Sequence, residues 1–480
     1  MSLIIPANSA SAAGGYAVDN SCRFNDGSSD NLSRTTETPT NAKKYTFSVW
    51  VKRSNIGAAN AKIFGVQGAS ANDQNMMEFN ADYLWWAQST SSGQAYRLKS
   101  NRKFRDPSAW LNIVVAYDST QGTANNRIRM YINGVEETSF SSRTNPSANL
   151  DSLINSSVSA NAGRTLRLGR TGDNGSQYFD GYMSEVCFID GLQLDPTSFG
   201  EFDEDSGIFK PIDVSGLTFG NNGFYLETKQ SGTSQNSSGL GADTSGNDNH
   251  FAVNNLTAID QSTDTCTNNF ATMNPLLAKS VIFAEGNLST TTTSTGWHIT
   301  HSTIGITTGK WYMECKIIGF DHCIVGLGNE AGSTGTATYP LGVAGNYGYN
   351  LYNGQKTSSD GAASYGATLA NNDILGIAID LDNLKIYFSK NGTYQNSGNP
   401  TSGSTGTGSA FNLLANQTYF PMAVVNVNST NPCGVNWNFG SPAYAVSDPS
   451  SDANGYGAFD IDTVPSGYYA LNTKNLSEYG

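Results

Sequence analysis

The sequence predicts an all-β protein that consists of two antiparallel β-sandwiches in tandem. Short runs of alternating polar and apolar residues, bounded by Gly, Asn, Asp and Ser, recur along the 480 residues, whereas long helical periodicities are hard to find. Asn133-Gly134 and Asn391-Gly392 each lie between two such runs, where a type I′ hairpin requires positive φ at both residues. Several runs are apolar on one side and polar or aromatic on the other, which is typical of two sheets packed face to face.

The clearest predicted strand of the first half covers residues 46–51. Alternation places Phe47, Val49 and Val51 on one face of this strand and Trp50 on the other. The other predicted strands cover residues 110–117, 127–132, 165–169, 182–189, 310–318, 323–328, 374–380 and 384–389. These strands fall into two groups, and each group predicts one sandwich.

The sequence between the two groups predicts the domain boundaries. A first sandwich is expected at 20–230, after an N-terminal arm at 1–19. Residues 231–275 are rich in Ser, Gly, Asn and Thr and predict a bridge, although a few apolar residues within it could lie against a neighbouring domain. A second sandwich is expected at 276–445, followed by a C-terminal segment at 446–480.

The charge balance excludes several classes of partner. Lys and Arg number 27 and Asp and Glu number 40, so the formal net charge is −13, and charged residues make up only 14% of the chain. Without a Lys/Arg run, the chain lacks the attraction to phosphate that supplies most nucleic-acid affinity, so no nucleic-acid partner is expected. We expect neither a signal peptide nor membrane insertion, because no basic leader and no apolar run of spanning length occurs.

Residues 310–440 resemble the SPRY domain in the order and spacing of their motifs. These are GKWYMECKIIG, CIVGLGNE, YGYNLYNGQK, YGATLANNDILGIAIDLDNLKIYFSKNGT, YFPMAVVNVN and the closing VNWNFG. The resemblance implies a bent β-sandwich that binds a partner through loops at one rim and carries out no catalysis.

Residues 20–200 look like a laminin-G or concanavalin A-like jelly roll. The resemblance rests on SCRFN, KKYTFSVWVKRS, AWLNIVVAYDST, RIRMYINGV and LRLGRTGDNGSQYFDGYMSEVCFIDG, in that order. Domains of this kind often hold Ca²⁺ at a rim loop, and the resemblance makes Asp173, Asn174 and Asp180 the candidate ligands. A turn held by Asx hydrogen bonds is the alternative for the same residues.

The connecting segments carry a third resemblance. GLTFGNNGFYLETK, DTSGNDNHFAVNNL, DTCTNNFATMNPL and VPSGYYALNTKNL look like connectors in structural proteins of tailed bacteriophages. This implies a virion protein that is made in the cytoplasm of a host bacterium and functions together with other virion proteins. A homo-oligomer is expected, because phage fibres are commonly oligomeric.

The arrangement of carboxylates argues against an enzyme. Glucanases of the concanavalin A-like fold need two carboxylates about 5–5.5 Å apart for a retaining mechanism, and a strand can present them as Glu-x-Asp-x-x-Glu. No such string occurs in the sequence. Asp380 and Asp382 could share a face, but they belong to the hairpin motif of the SPRY resemblance. We therefore expect no catalytic residues.

Exposed aromatic side chains are the candidates for a ligand site, since they can stack on the apolar side of a sugar. Trp85 and Trp86 are adjacent on a predicted strand and must point to opposite faces, so one belongs to the core and the other to a surface or groove. Tyr347, Tyr349 and Tyr352 lie in a Gly- and Asn-rich stretch where SPRY ligand loops are expected, and core packing is the alternative for them.

Taken as a sequence, the chain is expected to be a non-enzymatic virion protein, such as a tail fibre or capsid appendage. It would bind a host surface glycan or protein through the rim loops of its sandwiches. Two alternatives remain open: a purely structural decoration protein, and a glycan depolymerase on the concanavalin A-like fold.

Overall fold

The computed structural model describes residues 15–68, 72–156, 164–172, 177–278, 280–320, 322–329, 342–426, 433–461 and 463–480. The chain divides into an N-terminal unit, Ala12–Thr267, and a C-terminal unit, Asn268–Gly480. Both units consist mainly of antiparallel strand pairs in sheets that form a sandwich, which confirms the predicted fold class; the pairing of Trp311 and Tyr312 with residues 469 and 470 is parallel. Within the ranges given above, no helix is long and apolar enough to cross a membrane.

The N-terminal unit contains two facing sheets. Its strands are β1 Ser21–Phe24, β2 Asn31–Thr35, β3 Lys44–Arg53, β4 Ala61–Gln67, β5 Gln74–Asn80, β6 Tyr83–Thr90, β7 Gly93–Lys103, β8 Trp110–Asp118, β9 Ile128–Ile132, β10 Val135–Glu136, β11 Phe140–Thr144, β12 Thr165–Leu168, β13 Gly181–Asp190, β14 Gly200–Phe202, β15 Phe209–Pro211, β16 Phe224–Leu226, β17 Ala252–Asn254 and β18 Gln261–Ser262. Short 3₁₀ turns lie at Ala124–Asn126, Leu153–Asn155, Pro196–Ser198 and Ala258–Asp260. The first sheet has the order β10-β9-β8-β3-β13-β1-β18, with β16 beside β13, and the second has the order β11-β7-β6-β5-β4-β12-β2-β17.

Aromatic side chains fill the core between these two sheets. The predicted inward face of β3 is confirmed, because Phe47, Val49 and Val51 are fully buried and the ring of Phe47 stacks on that of Phe64 at 4.0 Å. The opposite face of β3 is covered as well, since Trp50 packs against Phe209 of the β14–β15 hairpin. The first sheet is therefore buried on both sides at this position.

The predicted bridge at 231–275 differs from what the structure contains. Residues up to Thr267 belong to the N-terminal unit, where β17 pairs with β2 and β18 pairs with β1. Phe251 is fully buried and meets the ring of Phe224 edge to face at 4.8 Å. The polar residues of this segment form hydrogen-bonded turns: both carboxylate oxygens of Asp243 accept two hydrogen bonds each.

The C-terminal unit is a second sandwich. Its elements are β19 Ile282–Ala284, β20 Ser289–Thr292, β21 His298–His301, β22 Lys310–Gly319, β23 Ile324–Asn329, β24 Tyr347–Asn350, β25 Gln355–Ser358, β26 Gly361–Ser364, β27 Ile374–Asp380, β28 Lys385–Lys390, β29 Thr393–Tyr394, β30 Phe411–Asn412, β31 Tyr419–Val425, β32 Cys433–Asn438, β33 Tyr469–Ala470 and α1 Thr473–Tyr479. Short 3₁₀ turns lie at Pro275–Leu277, Gln395–Ser397 and Pro400–Thr405. One sheet has the order β19-β20-β32-β22-β27-β28-β29, and the other has the order β21-β31-β23-β24-β25-β26.

Both predicted Asn-Gly hairpins are confirmed. Asn133 and Gly134 join β9 to β10 with φ of 48° and 78°, and Asn391 and Gly392 join β28 to β29 with φ of 48° and 80°. Two consecutive positive φ values give the type I′ turn, whose twist matches that of the strands it connects.

The C-terminal segment at 446–480 packs onto its own unit. Phe459, Ile461 and Tyr468 cluster with Tyr312 of β22 on the outer side of the sheet that contains this strand. The buried carboxylate of Glu314 contacts the segment, because it accepts hydrogen bonds from the backbone N–H groups of residues 460 and 461. The segment is therefore an integral part of the C-terminal unit.

Candidate ligand-binding face

The outer face of the second sheet in the N-terminal unit carries a row of polar and aromatic side chains. The strand register places Lys62 of β4 opposite Glu78 of β5, Glu78 opposite Trp85 of β6, and Trp85 opposite Lys99 of β7. Directly opposed residues on one face of a sheet are close enough to interact. We call the outer faces of β4–β7 the ligand-binding face.

Cations surround the aromatic rings on this face. The Arg97 guanidinium and the Lys99 ammonium group each lie 4.7 Å from the centroid of the Trp85 ring. Lys99 is also 4.7 Å from the ring of Tyr83, and Lys103 is 5.0 Å from that ring. These distances are within the range of cation–π attraction, which holds both half-buried rings in place beside positive charge.

Lys62 and Glu78, which have opposite charges, form the β4–β5 end of this row. Lys62 is 5% exposed and Glu78 is 2% exposed, although both point to the outer face. Burial lowers the pKa of Lys62 and raises the pKa of Glu78, and in each case the charge of the other residue opposes the effect. The Lys62 ammonium group donates a hydrogen bond to Oε1 of Gln74 at 3.0 Å.

Three buried polar atoms of this face make no hydrogen bond with any residue that the structure describes. They are Oε2 of Glu78, Nε1 of Trp85 and Nε of Arg97. Buried polar atoms in proteins are nearly always hydrogen-bonded, so an unpaired group needs an explanation. One acceptor and two donors on neighbouring strands give this face the means to bind a ligand that has both hydroxyl groups and acceptor oxygens.

Trp85 is the sequence-predicted candidate that lies on this face. Trp86 points the opposite way into the core, where its indole N–H donates a hydrogen bond to the Tyr45 hydroxyl at 3.2 Å, so its prediction as a ligand contact is corrected. Alternation along the strand required one of the two to be buried, but it could not tell which.

Two of the three predicted tyrosines also belong to a core. Tyr349 is fully buried in the C-terminal unit and Tyr347 is nearly so, because both point between the sheets from β24, next to the Gly348 that separates them. They are not surface contacts, and their prediction as ligand residues is corrected. Tyr352 lies beyond the end of β24 and is 55% exposed, so it remains a surface candidate.

Tyr352 belongs to a small aromatic cluster at the surface of the C-terminal unit. Its ring stacks on those of Phe320 at 6.5 Å and His322 at 5.9 Å, and His322 lies 6.3 Å from the ring of Trp297. We call Trp297, Phe320, His322 and Tyr352 the aromatic cluster.

The calcium site stays a prediction, because two of its three candidate ligands lie outside the described residues. Asp173 and Asn174 lie outside the described residues, and the Asp180 side chain is buried, while its backbone carbonyl accepts a hydrogen bond from the N–H of Ser54 at 3.2 Å. Across the described ranges, no group of three or more His, Cys, Asp or Glu side chains is placed to hold a metal ion.

Sequence reasoning did not identify the cations of the ligand-binding face. A signal was present, since Tyr96, Arg97, Leu98 and Lys99 alternate in the way that puts Arg97 and Lys99 on one face of a strand. The sequence does not show that Lys99 lies opposite Trp85, because this depends on the register in which the two strands pair.

The comparisons with known proteins assign a domain class to each unit. Residues 26–192 match the family model of the concanavalin A-like lectin/glucanases superfamily, and residues 310–442 match that of the SPRY domain. The chain thus combines an N-terminal concanavalin A-like domain with a C-terminal SPRY domain. The first class suggests carbohydrate binding and the second suggests protein interaction.

Solved structures from three organisms are similar to parts of this chain. The SPRY domain of human HERC1 is 18% identical, with 34% of this chain and 96% of that chain covered and a TM-score of 0.27. A candidate carbohydrate binding protein from Bacteroides ovatus is 14% identical, with coverage of 46% and 55% and a TM-score of 0.33. The SAP-like pentraxin of Limulus polyphemus is 15% identical, with coverage of 38% and 80% and a TM-score of 0.27. No curated protein matches the chain.

Proposed function

We propose that this protein is a non-enzymatic adhesion protein whose concanavalin A-like domain binds a glycan on the ligand-binding face. The observation that carries the proposal is the row in which Trp85 lies between Glu78 and Lys99 and beside Arg97. It combines a half-buried aromatic ring with a hydrogen-bond acceptor and two donors that no described residue occupies. Such a combination suits a sugar, which has an apolar face for the ring and hydroxyl groups for the polar atoms.

The carboxylates of this face support binding without hydrolysis. Glycoside hydrolysis uses a pair of carboxyl groups on either side of the scissile bond. Strands β4–β7 contain a single acidic residue, Glu78. One carboxyl group can accept a hydrogen bond from a sugar, but it cannot supply both the acid and the nucleophile.

The biological setting that we propose is the virion of a tailed bacteriophage, where the protein is part of a tail fibre or capsid appendage. The proposal rests on the resemblance of the connecting segments to those of phage structural proteins. The protein would be made in the host cytoplasm and assemble as a homo-oligomer with other virion proteins. Several copies would then turn weak single-site contacts with a host surface glycan into firm attachment, through effective concentration.

The experiment is binding of the purified full chain to host and non-host cells and to their isolated surface polysaccharides. Trp85→Ala is expected to weaken binding about tenfold, since an aromatic contact of this kind contributes about 1 kcal/mol or more. Tyr352→Ala, which changes an exposed aromatic residue of the other unit, is the matched control for binding to the isolated polysaccharides. Binding to host cells no stronger than to non-host cells would favour the purely structural alternative, and shortened polysaccharide chains would favour a depolymerase.

A second candidate function belongs to the SPRY domain. The aromatic cluster contains Trp297, Phe320 and the strongly exposed Tyr352, and these three residue types are enriched where proteins meet. We propose that this cluster contacts a protein, either another virion component or a host receptor. Loss of capture of purified virion proteins by Tyr352→Ala, with capture retained in Trp85→Ala, is the expected result.

A further inference from the structure

The ligand-binding face has a charge opposite to that of the whole chain. Strands β4–β7 contain five basic residues, Lys62, Arg97, Lys99, Arg102 and Lys103, and one acidic residue, Glu78. The complete chain has a net charge of −13. The positive charge of these strands therefore does not follow from the overall composition and calls for an explanation in the function of this sheet.

Most of this positive charge is not neutralised within the protein. Arg102 forms an ion pair with Glu137 at 2.7 Å, and the buried Lys62 faces Glu78 across the sheet. Among the residues that the structure describes, Arg97, Lys99 and Lys103 have no carboxylate within ion-pair distance, and their close neighbours are the aromatic rings. Three cations are thus available at the surface beside Tyr83 and Trp85.

We infer that the ligand-binding face takes an acidic glycan, in which carboxylate or sulfate groups meet Arg97, Lys99 and Lys103 while the sugar ring lies against Trp85. This inference rests on the proposed glycan-binding function and names its ligand class. Arg97 and Lys99 are two residues apart on β7, so their side chains leave the strand about 7 Å apart on the same face. An extended chain of charged sugars can reach both.

The polar atoms of the face match the same ligand. A guanidinium group binds a carboxylate or sulfate through parallel hydrogen bonds, and Nε of Arg97 is one of the donors that no described residue engages. Oε2 of Glu78 needs a donor, which a sugar hydroxyl group provides. A neutral glycan would leave the cations unused, and a phosphodiester backbone would offer Glu78 no hydrogen-bond donor while the acidic remainder of the chain repelled it.

The experiment compares two pairs of polymers, and the charged and uncharged members of each pair have the same backbone. Binding of the full chain is measured by calorimetry to polygalacturonate and to its fully methyl-esterified form, in which the carboxylates are masked, and to dextran sulfate and dextran. We expect the charged member of at least one pair to bind about tenfold or more tightly, with affinity that falls as salt is added. Duplex DNA is included as a polyanion without sugar-like hydroxyl groups on its outer face.

Each outcome decides between the inference and the function on which it rests. Equal binding of charged and uncharged members would overturn the acidic-glycan inference and leave glycan binding in place. No binding to these polymers or to host polysaccharides would overturn both. DNA bound as tightly as the acidic glycan would show attraction by charge alone and would overturn the inference.

Two variants test the residues directly. Arg97→Gln and Lys99→Gln change half-exposed side chains outside the core, so the fold is expected to persist, with an unchanged melting temperature as the check. Each is expected to weaken binding of the charged polymer about tenfold and to leave any binding of the uncharged polymer unchanged. Lys43→Gln, which removes a partly exposed lysine on a loop of the same unit, is the matched control. A loss in Lys43→Gln equal to that in Lys99→Gln would contradict the assignment.

Discussion

The ammonium group of Lys52 lies 2.6 Å from Oδ2 of Asp264, and both side chains are at most 2% exposed. Trp110 completes the arrangement by donating its indole N–H to Oδ1 of the same carboxylate at 3.1 Å. Burial lowers the pKa of Lys52, whereas the charge of Asp264 and its hydrogen bond raise it. The pair connects β3 to the last residues of the N-terminal unit, which β18 and hydrogen bonds between Val18 and the side chains of Thr265 and Thr267 also hold.

Breaking this ion pair is expected to destabilise the N-terminal unit strongly. Lys52→Met leaves the Asp264 carboxylate buried without its cation, so the free energy of unfolding should fall by about 3–5 kcal/mol. Urea denaturation followed by tryptophan fluorescence measures the change. Lys43→Met removes a partly exposed lysine paired with Asp151 and should cost less than about 1 kcal/mol. Equal effects of the two substitutions would contradict this prediction.

The carboxylate of Glu314 is expected to hold the C-terminal segment. It accepts hydrogen bonds from Nδ2 of Asn438, from the Tyr312 hydroxyl, and from the N–H groups of Asp460 and Ile461. Glu314→Ala leaves several buried donors unpaired, so the C-terminal unit should lose about 3 kcal/mol of stability. Hydrogen exchange should show loss of protection at the amides of residues 460 and 461. Asp360→Ala, at an exposed turn, is the control, and retained protection in Glu314→Ala would refute the role.

His301 should make the C-terminal unit less stable in mild acid. Burial lowers the pKa of this fully enclosed imidazole to about 4, from an ordinary value of 6.5. As the pH falls from 6.5 towards 4, His301 becomes protonated in the unfolded chain but not in the folded chain. The free energy of unfolding therefore decreases, by up to about 3 kcal/mol. His301→Leu should reduce this pH dependence in urea denaturation, whereas His322→Gln should not. The same slope in His301→Leu as in the unsubstituted chain would disprove it.

Glu185 should make the N-terminal unit less stable as the pH rises, which is the opposite of the effect of His301 on the C-terminal unit. Burial raises its pKa to about 7, although hydrogen bonds from the hydroxyl groups of Tyr225 and Tyr16 lower it. The folded state therefore binds a proton between pH 4.5 and 7 that the unfolded state releases, so stability falls as the pH rises through this range.

The prediction for Glu185 is tested by measuring stability against pH in a variant with an amide in place of the carboxyl group. Glu185→Gln keeps the shape and an acceptor for Tyr225, and it should raise the stability above pH 7 by about 3 kcal/mol or less and flatten the pH dependence. Glu201→Gln alters a mostly exposed carboxylate and serves as the comparison. Lower stability of Glu185→Gln at pH 8 would count against the prediction.

The fold could be predicted from the sequence wherever alternation and turn chemistry were strong. Phe47, Val49 and Val51 lie in the core as their spacing indicates, and both Asn-Gly turns have the required positive φ. The packing of the polar segments could not be predicted in this way. Asp190, for example, accepts hydrogen bonds from residues 40, 41, 155 and 222, and no local pattern indicates contacts between such distant residues.

The candidate site was predictable only in part for the same reason. Period-two alternation predicts that one of Trp85 and Trp86 lies at the surface and the other in the core, but it does not tell which is which. The position of Trp85 beside Arg97 and Lys99 depends on a register with a bulge between residues 83 and 85 and another between 88 and 89. Bulges of this kind change which residues oppose one another, and the sequence carries no direct mark of them.

In each unit the first and last segments of the chain are hydrogen-bonded to each other. Ser21 pairs with Ser262 across β1 and β18, and in the C-terminal unit the N–H of Ala271 donates to the carbonyl of Leu471 at 3.0 Å. In each sandwich the first and last segments of the chain therefore lie next to each other. Such a sandwich can be excised, spliced into a loop of another protein or circularly permuted with a short linker, without drawing its two ends apart.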